Sequence, residues 1–496
     1  MCFRDILIRV LSVALLASAL ATAPATRASA FDRPHDPVIL SGDTLKALYG
    51  RKIPSLRLMA VRDGKLVTIP FQVDKRDPDN EYMTPGAKIP QDIIDATDFD
   101  ARSEAEKRAE RIEDFEDDLS DFEKAVKKGK LAQSELEEKR KAAYWVEKID
   151  ELDYNDELAF MGRDAGDALP VSKWPVKDGI ELILEDPIKK ETAYVYLFNF
   201  AANAPALSEA DYVRYEAKKD RTESDKAIVD FVDDKPMIIE EIYGKKADGS
   251  LMENFVDRFK LRIHMRVKPF FCAGLDFNEN NTKSFTVGYI DGPVRVIRRN
   301  IFWITIAGIK LPGIPKATIY YIFYEHGMVG PTKINNPIDP SLVLCDGSYF
   351  RAGMDLRKVA HGTHLYTEDN PDGLTIDGKL TKHEEGLIRR DQAWLGAYQP
   401  DRRFGFVARM TYDEILREKG ATMDLYFRED PTEEDEPESE PGTLFVGYEM
   451  DMKRFPKGEF NLAFYIYLGP NMESGDERRF LEILDHPIKV KANSLQ

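Results

Sequence analysis

Glu325 and His326 close the aromatic run Tyr320-Tyr321-Ile322-Phe323-Tyr324, and they are the pair in this 496-residue chain best suited to acid–base work. A carboxylate beside an imidazole at a strand end can give and take a proton if a cleft opens there. The tyrosines of the run, Tyr321 among them, supply rings of the kind that pack on sugar faces. Arg295 and Arg298 stand upstream, and a guanidinium fork clamps carboxylates or sugar hydroxyls. Being three apart, they face opposite ways on one regular strand, so only one can enter a given cleft. The competing reading is structural: a satisfied histidine at a core edge, and arginines paired with the chain's own carboxylates.

A second constellation is acidic. Asp74, Asp77, Asp79, Asp156 and Glu157 can gather near one turn, and Ca²⁺ takes several oxygen ligands. Asp74, Asp156 and Glu157 carry that expectation, against the alternative that aspartates build turns and caps by themselves. No other cofactor is implied. Asp276 to Asn280 opens like an EF-hand loop, but Asn281 stands where glycine is needed and Val287 where the last acid belongs. His361-Gly362-Thr363-His364 places two imidazoles three apart, with no third zinc ligand in view. Cys272 and Cys345 are either one disulfide or two buried thiols. The sequence has no Gly-x-Ser-x-Gly, P-loop, dinucleotide fingerprint or His-Glu-x-x-His. Those gaps leave room for a glycosidase or lyase, whose acids and bases come from scattered strands.

The elements that must position these residues are mostly strands. Asp63-Gly64 is a hairpin turn between Leu56–Val61 and a strand from Leu66 to Val73. Short apolar segments with turn signals recur from Gly179 to Tyr324 and again from Phe404 to Tyr467, with one short helix near Tyr412–Glu418. Strands without regular helix alternation predict sandwiches, not a doubly wound sheet. Residues 100–150 break the pattern. Ile112, Phe115, Leu119, Phe122 and Val126 line one helical face, and Gly129 sits at a C-terminal cap. Ser134 with Glu137 reads as the capping box of a second helix, with Leu136, Ala143, Val146 and Ile149 on one face. The fold class is therefore mainly β: β-sandwich modules with an inserted α-helical hairpin. The expected organisation is an amino-terminal β module over 31–99 and 151–235, the hairpin over 100–150, and a carboxy-terminal β-sandwich over 236–496. Glu429 to Pro441, acidic and without an apolar residue, reads as a mobile loop in that last module.

Residues 1–30 read as a secretory signal: Arg4 and Arg9, an apolar run from Val10 to Ala21, and the A-x-A site Ala28-Ser29-Ala30. The expected location is periplasmic or secreted. The net charge of −18 argues against nucleic acid as a partner, since phosphate binding needs a basic surface. No apolar stretch after the signal is long and unbroken enough for a membrane span, so an integral membrane protein is not expected.

Ile69-Pro70-Phe71-Gln72-Val73-Asp74 and Asp156-Glu157-Leu158-Ala159-Phe160-Met161 form two blocks split by the hairpin. This text resembles the amino-terminal module of exported bacterial β-rich proteins, some related to galactose-mutarotase-like supersandwich proteins that process polysaccharides. Gly292–Arg298 and Gly458–Leu468 look similar to strands of such folds. The resemblance implies a supersandwich-like fold and a saccharide ligand. Its sugar enzymes use a histidine and a carboxylate, and no histidine here aligns with that pattern, so no catalytic residue carries over. Two functions follow as expectations. One is a non-catalytic envelope or assembly factor that holds an envelope protein through a β face and the hairpin. The other is a polysaccharide-processing or saccharide-binding protein, a lyase or hydrolase, with Glu325 and His326 catalytic and Arg295, Arg298 and Tyr321 binding substrate.

Overall fold

The computed structural model describes residues 31–494 apart from 78–79, 86–88, 98–103, 137–148, 247, 307–308, 311–315, 388–393, 401–403, 434, 438–439 and 471–474. The signal segment, Asp79, Glu137, Ala143 and Val146 lie outside the described residues. The chain is mainly β, with antiparallel strands arranged in several sheets. Among the described residues no helix is long and apolar enough to cross a membrane.

A small sandwich opens the fold. Glu157–Met161 lies between Pro37–Ser41 and Gln72–Asp74 in a three-stranded sheet. A five-stranded sheet runs in the order Lys489–Ser494, Gly179–Glu185, Thr192–Asn199, Leu56–Arg62, Lys65–Thr68. Leu40, Leu58, Leu158, Phe160, Leu182, Val195 and Leu197 fill the space between them, drawn from alternate strand positions. Asp63 (φ 54°) and Gly64 (φ 72°) make the hairpin that the Asp-Gly pair predicts. The expected strand from Leu66 to Val73 is instead two strands in two sheets. Pro70 has no N–H for a ladder, and the chain changes sheets across Ile69–Phe71.

Between Asp74 and Glu157 stands the helical insertion. Glu104–Lys127 is one helix, and Gly129 (φ 67°) ends it as a left-handed cap. The next helix starts at Gln133, not after Ser134: Glu135 reaches back to accept the Ala132 N–H at 2.6 Å. Ile149 is exposed in a turn, so it lies beyond the helical face expected of it.

The larger sandwich pairs a ten-stranded sheet with a second five-stranded one. Along the large sheet run Thr282–Asp291, Val296–Ile306, Lys316–Tyr324, Gly327–Asn336, Gly458–Pro470, Phe404–Tyr412, Trp394–Gln399, His364–Tyr366 and Leu374–Thr375, with Ile309–Lys310 beside Val296–Ile306. The second sheet has the order Ala273–Phe277, Val256–Val267, Tyr349–Leu356, Thr443–Asp451, Asp424–Asp430. Phe323, Met354, Phe406, Val446 and Ile466 belong to the core between them. Within Lys316–Tyr324 the run Ile319–Phe323 is unbroken apolar and aromatic because both faces are covered there: Tyr321 and Phe323 enter this core, while Tyr320 and Ile322 pack with Tyr82 on the other side.

Three features differ from the sequence reading. Val213–Glu216, Arg221–Ser224 and Ala227–Val232, expected in the amino-terminal module, form a four-stranded sheet with Lys235–Gly244 that packs on the larger core. Lys489–Ser494, expected in the carboxy-terminal module, returns to pair with Gly179–Glu185 in the small sandwich. The acidic stretch Glu429–Pro441 is held down. Glu429 is a buried strand residue accepting the Asp377 and Gly378 N–H groups, and Asp435 pairs with Lys260 and Arg262. Cations of the neighbouring strands, unseen in a local reading, fix this segment. Cys272 and Cys345 form a disulfide, with Cα atoms 5.9 Å apart.

Candidate functional site

The residues singled out first lie at the seam between the two sandwiches and in the larger core. Arg295 is 1% exposed; it reaches Asp74 at 2.6 Å, Glu157 at 2.6 Å and the Tyr324 hydroxyl at 3.3 Å. Gln72 Oε1 accepts the N–H groups of Val294 and Arg295 at 3.1 and 2.9 Å. The two sequence blocks with the family resemblance therefore dock the small sandwich onto the large one. Arg298 points the other way, as the spacing predicts: its guanidinium pairs with Asp220 and lies 3.7 Å from the Phe231 ring centre. Tyr321 is a core ring whose hydroxyl donates to the Met237 carbonyl at 2.5 Å. None of these three faces an open cleft.

Glu325 and His326 are also buried at the seam. Glu325 pairs with Arg163 and lies 3.8 Å from Lys226 Nζ. His326 Nε2 meets His35 Nδ1 at 2.9 Å, and the His35 ring stacks on Phe480 with centroids 5.3 Å apart. Burial first, then the Arg163 charge, lowers the His35 pKa to about 4. Burial first, then His35 itself, lowers that of His326 to about 2. Both rings are neutral near pH 7, and the pair is built for docking two modules.

The carboxylates named for a metal each meet a cation of the chain. Asp74 and Glu157 share Arg295, Glu157 also meets Arg76 at 2.5 Å, and Asp156 accepts Lys75 at 2.9 Å. Burial, partly offset by Lys75 and reinforced by Asp153, raises the Asp156 pKa to about 6. Among the described residues no group of three His, Cys, Asp or Glu side chains is placed to hold a metal ion. His361 caps a short 3-10 turn, and His364 stacks on Tyr366 and meets the Tyr398 ring edge-on.

A polar pocket of about 310 Å³ lies elsewhere, on the outer face of the second five-stranded sheet. Strand alternation puts Lys260, Arg262 and His264, then Tyr349, Arg351 and Asp355, then Tyr426 and Arg428 on this face, opposite core residues such as Met354 and Phe427. Register sets Arg262, Arg351 and Glu449 side by side on three adjacent strands. Arg351 is gripped between aromatic rings, 3.8 Å from the Tyr349 centroid and 3.9 Å from that of Tyr426, and donates to Glu449 at 2.6 Å. Arg262 bonds Glu279 at 2.7 Å and Asp435 at 2.9 Å. Burial raises the Glu279 carboxyl pKa, and Arg262 counters that rise. Arg428 donates to Glu433 at 2.5 Å. The acidic stretch thus forms one wall through Glu433 and Asp435, and Asn278 ties it down by donating to the Glu436 carbonyl at 2.9 Å. The opposite rim carries Asp276, bonded to His264 Nδ1 at 2.6 Å. Sequence reading missed this site because its residues are scattered over five strands and a loop. The period-two run Arg258, Lys260, Arg262, His264 was the one local signal.

No family model matches the chain, and no curated protein does. Solved structures similar to it include an α-mannosidase from Enterococcus faecalis V583, at TM-score 0.39 and 10% identity over 94% of this chain and 47% of the mannosidase. A galactose mutarotase-like protein from Clostridium acetobutylicum gives TM-score 0.32 and 8% identity over 53% of this chain and 100% of that one. Another, from Lactobacillus casei ATCC 334, gives 0.29 and 9% over 50% and 98%. This chain spans about half the length of the mannosidase. At such scores these likenesses carry no chemistry over to this chain.

Proposed function

We propose that this chain is an exported saccharide-binding β protein whose site is the arginine–tyrosine pocket of the outer sheet face, and that its ligand is a neutral, hydroxyl-rich glycan. The observation that carries the reading is the pairing of every pocket guanidinium with a carboxylate: Arg262 with Asp435, Arg351 with Glu449, Arg428 with Glu433. Such pairs present fixed donors and acceptors side by side, which suits hydroxyls that both give and receive hydrogen bonds. An anionic polymer would have to displace those carboxylates and approach a chain of net charge −18. Tyr349 and Tyr426 supply ring surface beside the polar groups, and a volume of about 310 Å³ suits one or two sugar rings. Binding is the activity proposed for this pocket.

The test is calorimetry against a panel of neutral and acidic glycans, with wild type and two variants, Tyr426→Ala and Arg351→Met. A neutral glycan should bind wild type and lose at least tenfold in affinity in both variants while their melting transitions persist. Binding that ignores both variants would remove the pocket. A panel with no binder, or with acidic glycans only, would overturn the reading and return the weight to a protein partner.

A further inference from the structure

The disulfide Cys272–Cys345 holds a protruding apolar tip. Phe271 is 98% exposed, Phe270 62% and Leu342 72%, whereas the other aromatic side chains among the described residues are largely covered. Phe271 and Cys272 both have positive φ, 56° and 61°, a backbone conformation that aromatic residues rarely take. The tip is fixed in place: Leu344 bridges to Val267, the Cys345 N–H donates to the Arg266 carbonyl at 2.7 Å, and Lys268 Nζ donates to the Ser341 carbonyl at 2.6 Å. An outlier backbone that pushes two phenylalanines into water needs a reason outside the folding core.

Charge supplies the second observation. Beside the tip Lys419, Lys453 and Arg454 pair with Asp339, Asp346 and Asp451, while Arg266 and Lys268 donate to backbone carbonyls, so these groups carry two more cations than carboxylates. This is a locally positive surface on a chain of net charge −18. The three apolar side chains stand out into water. Protein partners bury their anchors in pockets, whereas a bilayer accepts protruding aromatic and aliphatic tips flanked by cations.

We infer that the tip Phe270–Phe271, with Leu342, docks this protein on an anionic lipid bilayer surface. The phenylalanines enter the acyl boundary and the surrounding lysines and arginines meet lipid phosphates. Vesicle flotation with processed protein, its disulfide intact, tests this. Vesicles of phosphatidylglycerol and phosphatidylethanolamine should retain wild type at low salt, and neutral phosphatidylcholine vesicles should retain at least tenfold less. Phe270→Ser/Phe271→Ser should abolish retention with an unchanged melting transition, because both side chains are already in water. Lys268→Glu/Lys453→Glu should weaken it and flatten its salt dependence. No retention of wild type on the anionic vesicles, retention that survives the phenylalanine double variant, or equal retention on neutral vesicles would each overturn the inference.

Discussion

Arg295 is the residue on which the two sandwiches depend. Its guanidinium is buried with Asp74, itself 1% exposed. Arg295→Met leaves that carboxylate buried without its cation, and should cost about 3–5 kcal/mol in urea unfolding. An Arg295→Met/Asp74→Leu double variant should recover much of the loss, since an apolar pair of similar bulk needs no charge compensation. The neighbouring histidines give a pH prediction. Their folded pKa values lie near 4 and 2, below the unfolded value of about 6.5. The unfolded chain therefore binds more protons below pH 6.5, and stability falls as pH drops from there towards 4, by up to about 1.4 kcal/mol per pH unit for each ring. Asp156, raised to about 6, acts in the opposite sense over part of that window. The clean measurement is thus a difference: a His35→Gln/His326→Gln variant should show a flatter acid slope than wild type between pH 6.5 and 4, and an equal slope would refute the neutral-pair reading. At this scale the sequence shows which side chains are unusual, and it is right that Arg295 and Arg298 face opposite ways. It cannot show that Asp74, Glu157 and His35 arrive from another module to satisfy them.

Strands were legible as elements wherever one face is buried and the other is polar, or where an apolar run is bounded by turn signals. Lys316–Tyr324 and Thr443–Asp451 are of this kind. Tyr349–Leu356 was missed because its outward positions carry arginine, glycine and aspartate and its inward ones include Ala352, so the alternation is faint in hydropathy. That strand holds Arg351 and the centre of the pocket, so the candidate site went unread with it. The helical insertion was legible because a step of three and four is hard to mimic by chance. Its carboxy-terminal end is anchored in the scaffold: the Asp150 carbonyl accepts the Ile53 N–H at 2.8 Å, and Lys52 bridges to Glu151. Replacing residues 104–148 by a short Gly-Ser linker should therefore keep a cooperative melting transition within a few degrees of wild type. Loss of that transition in calorimetry would mean that Leu136, which is buried, ties the insertion into a sandwich core.

Across the whole molecule, sequence order misplaces the module boundaries because sheets ignore it. Lys489–Ser494 completes the small sandwich, and Val490 packs against its core. Truncation after His486 should expose the unpaired edge of Gly179–Glu185, lower the first melting transition and increase aggregation at moderate protein concentration. An unchanged transition would show that the four remaining strands are self-sufficient. The same strand has a further consequence for how the protein is made. A chain delivered from its amino terminus presents Leu56–Arg62 early, yet Lys489–Ser494, at the far edge of the same sheet, follows only after the whole larger sandwich. Its pairing with Gly179–Glu185, with Asn493 and Glu181 312 residues apart, forms slowly, because the intervening segment must first be brought into a closed loop. The small sandwich is then begun before the larger one and sealed after it. During that interval its open edge is a docking place for holding chaperones and a weak point for proteases, whatever ligand the finished protein binds.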